Sequence, residues 1–451
     1  MPNSIRKRRN NLDRASSSKS TKPCPLLKVQ KNGVPLGQRA LATGRRIALG
    51  KPKVTASRPD PEDTHIDVVD LFSGCGGMSA GFRLFTSVLS SYRLAGALDI
   101  DSDANETYRL NLGIQPLESD AHAIVTERSA WKKFQGSLQR KAGNRLVVAG
   151  GPPCQGFSSH RKTIAGCDSL NSLLHDFACM ATRLDPDAII FENVPELLTE
   201  RSWPFYQNAT DLLRQHGYLV RTRIYNFADF GVPQERFRSL TVAMRKPFSM
   251  PHRILARSEY RTVRQAIGHL SPMITPGMPD ARDPIHVTAR HRPSTVATMA
   301  AVPKNGGRRP LDIGPECLRQ LAVRNGRTGY DDVYGRLWWD RPAVTITGHS
   351  RNPASGRFVH PEQDRGLSVR EAALLQGFPP DYTFAGSFDS QFMQVGNAVP
   401  PSFAAYLAGH ILSELITERH ESPELNGDIV SSVGTSFSRL IAGIKRGFIE
   451  L

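Results

Sequence analysis

The sequence predicts an α/β protein built on a doubly wound sheet, with a second, smaller and irregular domain. Three observations predict it. From Ile66 to about Arg245, β-branched apolar runs of strand length alternate with amphipathic segments at helical spacing. From 246 to 340 that alternation fails, and the chain turns rich in Pro, Gly and Arg. At 451 residues the chain can bury a large core in two domains with a tail. The expected organisation is a disordered basic arm over 1–64 and a main domain over 65–245, completed by 391–418. A second domain covers 246–390, and 419–451 reads as a poorly packed tail.

The elements follow in order. IDVVDLF (Ile66 to Phe72) reads as a buried parallel strand, because it is apolar without alternation and bounded by turn signals. SGCGGMSAGF follows as a Gly-rich turn entering a helix over Met78 to Leu89. LAGALDID (Leu94 to Asp101) is a second strand ending in acids, and ANETYRLNLG a helix stopped by Gly113. RLVVAGG is a third strand, Ser172 to Leu184 an amphipathic helix, and DAIIFENV (Asp187 to Val194) the next strand. Ala209 to His216 suggests a further helix closed by Gly217. Helical order returns with LSVREAALLQGF (Leu367 to Phe378) and PPSFAAYLAGHILSELI (Pro400 to Ile416).

Charge is uneven. The net charge is +16, but residues 1–58 hold 15 Lys/Arg against one acid, Asp13. A segment so basic, with no periodicity, reads either as a salt-dependent tether for phosphates or as a solvated tail. The window 246–340 adds 15 Lys/Arg against 8 acids. Six scattered cysteines with no CxxC pair suggest neither a disulfide framework nor a metal site, and fit a reducing, cytoplasmic setting. No apolar run reaches membrane length and no signal-peptide pattern appears.

LVVAGGPPCQGFS (Leu146 to Ser158) is the richest stretch. Its glycines allow a sharp turn and its prolines stiffen the exit from the strand. Cys154 is thereby placed over the sheet edge where open α/β proteins bind ligands; it reads as a nucleophile or as a buried core thiol. The turn Phe72 to Gly77 can hold a cofactor on backbone amides, and Asp99 and Asp101 can accept from ribose hydroxyls or cap a helix. Glu192, ending FENV, reads as a proton donor with raised pKa or as a surface acid. Alternation places Arg236 and Arg238 of QERFR on one face, able to hold a phosphate or a carbonyl oxygen. QVGNAVPP is a rigid turn carrying Asn397.

Taken together, DLFSGCGGMSAGF, GGPPCQGFS, FENVPELL, PQERFR, GLSVREAALLQGFP and QVGNAVPP, in that order, resemble the DNA (cytosine-5) methyltransferase family of the bacterial restriction–modification type. The resemblance runs from about Ile66 to Ile416. It implies a Rossmann-like S-adenosylmethionine-dependent methyltransferase domain with 246–340 as the target-recognition region. Double-stranded DNA is the implied substrate, held by a monomer, with a restriction endonuclease as functional partner. It implies Phe72, Gly74, Gly76 and Gly77 beside the cofactor, Asp99 at the ribose, Ile100 and Asp120 near the adenine, and Asn397 and Val399 completing the pocket. Cys154 matches the nucleophile that adds to cytosine C6, and Glu192 the acid at the ring nitrogen. Arg236 and Arg238 match the pair that supports the base, and no metal enters. Ser158 to Ser169 is the loop expected to close over the flipped base. A tRNA cytosine-5 methyltransferase on the same scaffold and an inactive DNA-binding relative are the alternatives.

Overall fold

A computed structural model of the protein describes residues 35–50, 66–89, 91–153, 173–272, 275–325, 332–421 and 427–434. In chain order the first elements are α1 (Leu36–Ala48), β1 (Ile66–Leu71), α2 (Gly77–Thr86), β2 (Tyr92–Asp99), α3 (Ser102–Leu112) and β3 (Leu117–Glu118). Then come α4 (Ala121–Thr126), α5 (Arg128–Ser137), β4 (Arg145–Gly150), α6 (Leu173–Leu184), β5 (Ala188–Asn193) and α7 (Trp203–Gln215). β6 (Leu219–Asn226) and β7 (Phe237–Met244) close the sheet.

The seven strands lie in the order β3-β2-β1-β4-β5-β7-β6. The first five are parallel, while β7 runs antiparallel to both β5 and β6. Chain progression reverses between β1 and β4, so the loops leaving those two strands flank the crevice where such sheets take their ligands. Each central strand feeds two cores. Val68, Val147 and Ile190 face one layer, with α1, α2 and the last helix. Val69, Val148 and Ile189 face the other, with α4 to α7. A strand buried on both faces needs apolar residues at nearly every position, which explains the unbroken runs in the sequence.

The second lobe has no strand of the main sheet. It carries α8 (Val263–Ile267), α9 (Pro293–Ala300) and α10 (Glu316–Asn325). Its apolar core is small, centred on Met299, Val302, Tyr334 and Val359. Two fully buried arginines organise it instead. Arg336 donates to the carbonyls of Val302, His360, Gln363 and Met299 at 2.7–3.0 Å. Arg357 donates to those of Gly306, Gly307 and Arg336, and pairs with Asp332 at 2.8 Å. Irregular backbone supplies carbonyls that no ladder uses, and these take most of the donors of the two guanidiniums. The chain then returns through α11 (Val369–Leu375), α12 (Phe388–Asn397) and α13 (Pro401–Ile416).

Three expectations change. The segment expected to be a disordered arm contains α1, whose Ala40, Gly44, Ile47 and Ala48 are buried against α13. Part of the expected loose tail is tied down. Asp428 pairs with Arg221 and Arg223 at 2.5 Å each, and Ile429 N donates to Thr222 O at 2.8 Å. Finally, the helix expected at Ala209 begins six residues earlier, at Trp203, with Pro204 in its first turn.

Candidate active site

The cofactor side begins where β1 ends. Phe72 (φ 55°), Gly74 (φ 50°) and Gly76 (φ 86°) all adopt left-handed backbone, turning the chain sharply into α2. For Phe72 that conformation is strained, and the surrounding contacts must hold it there. Gly74 N donates to Asp99 Oδ2 at 2.7 Å, so the end of β2 braces the turn. Asp101 N donates to the other oxygen at 3.0 Å. Burial raises the Asp99 pKa, and these two amides pull it back. Each carboxylate oxygen keeps a second lone pair, so Asp99 can still accept from a ligand hydroxyl. Asp101 is different: it caps α3, accepting from Ala104 N at 3.0 Å.

Ile100 beside them is 67% exposed, unusual for an isoleucine at a strand end. Asp120 is exposed and caps α4, accepting from His122 N at 3.1 Å. A methyl group placed on Gly74 would meet no heavy atom within 4 Å, so the turn borders open space there. On Gly77 a methyl would lie 2.2 Å from Val399 O. That close approach joins the 72–77 turn to the 396–399 turn. Val399 is buried, while Asn397 stands exposed as the last residue of α12. Cys75 faces inward and donates its thiol to Gln394 O at 3.4 Å. Burial pushes that thiol far up, which leaves it inert.

The second set of groups collects at the ends of β4, β5 and β7. Gly150 lies against Leu71, where a methyl would sit 2.3 Å from the carbonyl oxygen. Pro152 follows, and Asn193 Nδ2 donates to its carbonyl at 3.1 Å, fixing the prolyl turn against the end of β5. Cys154 and the Ser158 to Ser169 loop lie outside the described residues.

Glu192 is 7% exposed, with Oε1 2.9 Å from Arg238 Nε. The N–H does not point at that oxygen, so Oε1 retains hydrogen-bonding capacity. Burial raises the Glu192 pKa, and Arg238 and Arg236 oppose it. Arg238 Nη1 donates to Phe237 O at 2.8 Å. Arg236 is 1% exposed and donates to Ile346 O, Gly396 O and Ala398 O at 2.9–3.3 Å. Its guanidinium braces main chain, while Arg238 attends Glu192.

A side-chain network that sequence reasoning missed supports this arrangement. Gln234 Nε2 donates to Leu375 O (2.9 Å) and Gln376 Oε1 (2.5 Å), while its Oε1 accepts from Ile346 N (2.9 Å). Gln376 in turn donates to Ala398 O at 2.7 Å. Tyr382 OH donates to Cys75 O at 2.6 Å. Asn193 was also passed over, although it sits inside FENV.

Residues 66–413 match the family described as C-5 cytosine-specific DNA methylase. The chain belongs to this family. It is a DNA cytosine methyltransferase. It is 36% identical over 352 residues to the type II methyltransferase M1.HphI of Haemophilus parahaemolyticus, covering 76% of this chain and 86% of that one. It is 31% identical over 356 residues to the type II methylase M.HgiDII of Herpetosiphon aurantiacus, covering 76% and 94%. A solved structure described as a candidate DNA modification methyltransferase from a prophage (E. coli) shares the fold. Its TM-score is 0.59 at 22% identity, over 78% of this chain and 99% of that one. In this DNA methyltransferase the two flanking segments, α1 and 427–434, lie beyond the matched region. Among the described residues no helix is long and apolar enough to cross a membrane.

Proposed function

We propose that this chain is a type II modification enzyme that methylates C5 of a cytosine rotated out of double-stranded DNA. S-adenosylmethionine would be the donor, Cys154 the nucleophile, and protection from a cognate endonuclease the purpose. One observation carries the reading. A buried carboxyl with raised pKa, Glu192, stands beside Arg238 and next to the prolyl turn leading to Cys154.

The donor suits the wall between the two turns. Exposed Ile100 offers an apolar face for an adenine, and Asp99 offers acceptors for ribose hydroxyls. Open space beside Gly74 leaves room for a ligand there. Phe72, Gly76 and Gly77 would line it, with Asp120 near the adenine and Asn397 and Val399 opposite. When bound, the donor supplies one electrophilic methyl group on a sulfonium centre.

Cytosine C5 is too weak a nucleophile to take that methyl unaided. Cys154 Sγ, as the thiolate, bonds to C6; the C5–C6 π pair moves onto C5, and Glu192 gives N3 a proton. Arg238 holds the ring carbonyl oxygen as charge builds. C5 then bonds to the methyl carbon, whose former bonding pair leaves with the donor sulfur. Loss of the C5 proton to a base, departure of the Cys154 thiolate and return of the N3 proton to Glu192 restore the ring. None of this is reachable inside a duplex, so the base must leave the stack at a cost of a few kcal/mol.

The test is covalent trapping. Fluorine at C5 cannot leave as a proton does, so duplexes containing 5-fluorocytosine should hold the enzyme as an adduct when donor is present. Peptide mapping should place that adduct on Cys154. An adduct on any other residue, or none from a preparation that methylates ordinary DNA, overturns the mechanism.

A further inference from the structure

A cleft outside the catalytic machinery is lined by Pro284, Val287, Thr288, Arg290, Arg351 and Phe388, with a volume of about 400 Å³. It lies between the 277–290 segment of the second lobe and the first turn of α12. Thr288 is 1% exposed, yet its Oγ1 has no hydrogen-bond partner. A buried hydroxyl left without a partner is unfavourable unless something fills it. Arg290 is exposed, and no acid among the described residues pairs with it. The Arg351 side chain remains 40% exposed while leaning on Asp389 at 2.9 Å. Two guanidiniums and a free hydroxyl over an apolar floor match a phosphodiester with its sugar. The cations take the phosphate oxygens, the hydroxyl donates once, and the floor receives the sugar.

Position supports that ligand. The cleft sits at the start of α12, and Asn397 ends the same helix. Ten residues of helix span about 15 Å, or about four nucleotides of rise along one DNA strand. Gly386, just before α12, packs on Asp103 in the first turn of α3, which follows the C-terminal end of β2. The cleft therefore lies toward the edge of the sheet that carries the active site.

We infer that this cleft seats a backbone phosphate of the DNA flanking the target cytosine, with Arg290 and Arg351 on its oxygens and Thr288 donating to it. The inference rests on duplex DNA being the substrate. A phosphate contact positions the duplex without reading its sequence.

The experiment measures binding of the full chain to a random-sequence duplex by fluorescence anisotropy across a salt series. Melting curves and methylation of bulk DNA accompany it. Replacing both, Arg290→Gln with Arg351→Gln, should make the log–log salt slope shallower by roughly 0.9, because the pair neutralises one phosphate, with unchanged melting; each single change should give a smaller shift in the same direction. Thr288→Val should weaken binding without altering the slope. Asp389→Asn, which releases Arg351 from its acid, should tighten binding. A wild-type slope in the double variant overturns the assignment. A wild-type protein that methylates no DNA overturns the substrate reading instead, so the two failures are distinguishable.

Discussion

Glu192 is pushed toward its protonated form by burial and pulled back by Arg238 and Arg236. Glu192→Gln keeps the shape and removes the transferable proton. It should lower kcat by roughly 10²–10⁴-fold, with melting unchanged, in a steady-state methyl-transfer assay. Wild-type kcat in that variant would remove Glu192 from the chemistry. At this scale the sequence was legible wherever a residue type is costly to place. Pro152 and Pro153 mark a stiff turn by their own backbone limits, while Glu192, closing an apolar strand, reads in the sequence as a proton donor or a surface acid, and its burial excludes the second. Gln234 was not legible as a brace, because its partner Gln376 lies 142 residues further on. Asp99 and Asp101 looked alike in the sequence. Their difference, one bracing a turn and the other capping a helix, comes from two residues of backbone geometry.

Two buried acids give the elements opposite responses to pH. For Glu371, in α11, burial disfavours the charged form, yet the ion pair with Arg365 and the amide hydrogen bond from Ser368 outweigh it and lower the pKa from 4.5 to about 2. Its stabilisation holds above pH 4.5 and is lost as pH falls toward 2. Nearby His360 is held neutral by burial down to about 4, against 6.5 when exposed, so acid weakens the second lobe through it too. Asp70, in β1, runs the other way. Burial lifts it from 3.8 to about 7, although Ser79 donates to it, so its contribution is full below 3.8 and lost as pH rises through 7. Thermal melts across pH should therefore show Glu371→Gln flattening the acid limb and Asp70→Asn flattening the limb between 4 and 7. Parallel curves for variant and wild type would contradict these assignments.

Strands β1, β2, β4 and β5 were legible because burial on both faces demands continuous apolar runs, and α3 because Gly113 stops it at φ 73°. α1 was hidden. It docks through Ala40, Gly44, Ile47 and Ala48, but these lie within a segment whose basic, polar composition masks their helical spacing. The β6–β7 hairpin was hidden too, since LVRTRIYN carries arginines that the fold buries or pairs.

At the scale of the whole molecule, two flanking segments, α1 and 427–434, are part of the folded body. Residues 1–34 hold nine Lys/Arg and one acid, while α1 behind them covers α13. Deleting 1–34 should flatten the salt dependence of DNA binding and spare the melting temperature; deleting 1–50 should lower the melting temperature as well. An unchanged salt slope after the shorter deletion would dismiss the arm as a tether. For residues 427–434 the expectation of a loose C-terminal end failed because Asp428 meets Arg221 and Arg223, which lie 207 and 205 positions earlier in the sequence.

The contact between Gly77 and Val399 also sets a schedule. One wall of the proposed donor pocket is translated before the other, which follows more than three hundred codons later. A nascent polypeptide on the ribosome holds half a pocket until its last helices emerge. On the donor placement proposed above, a chain interrupted before Val399 would lack one side of that site, and should bind no S-adenosylmethionine in a titration with the purified fragment.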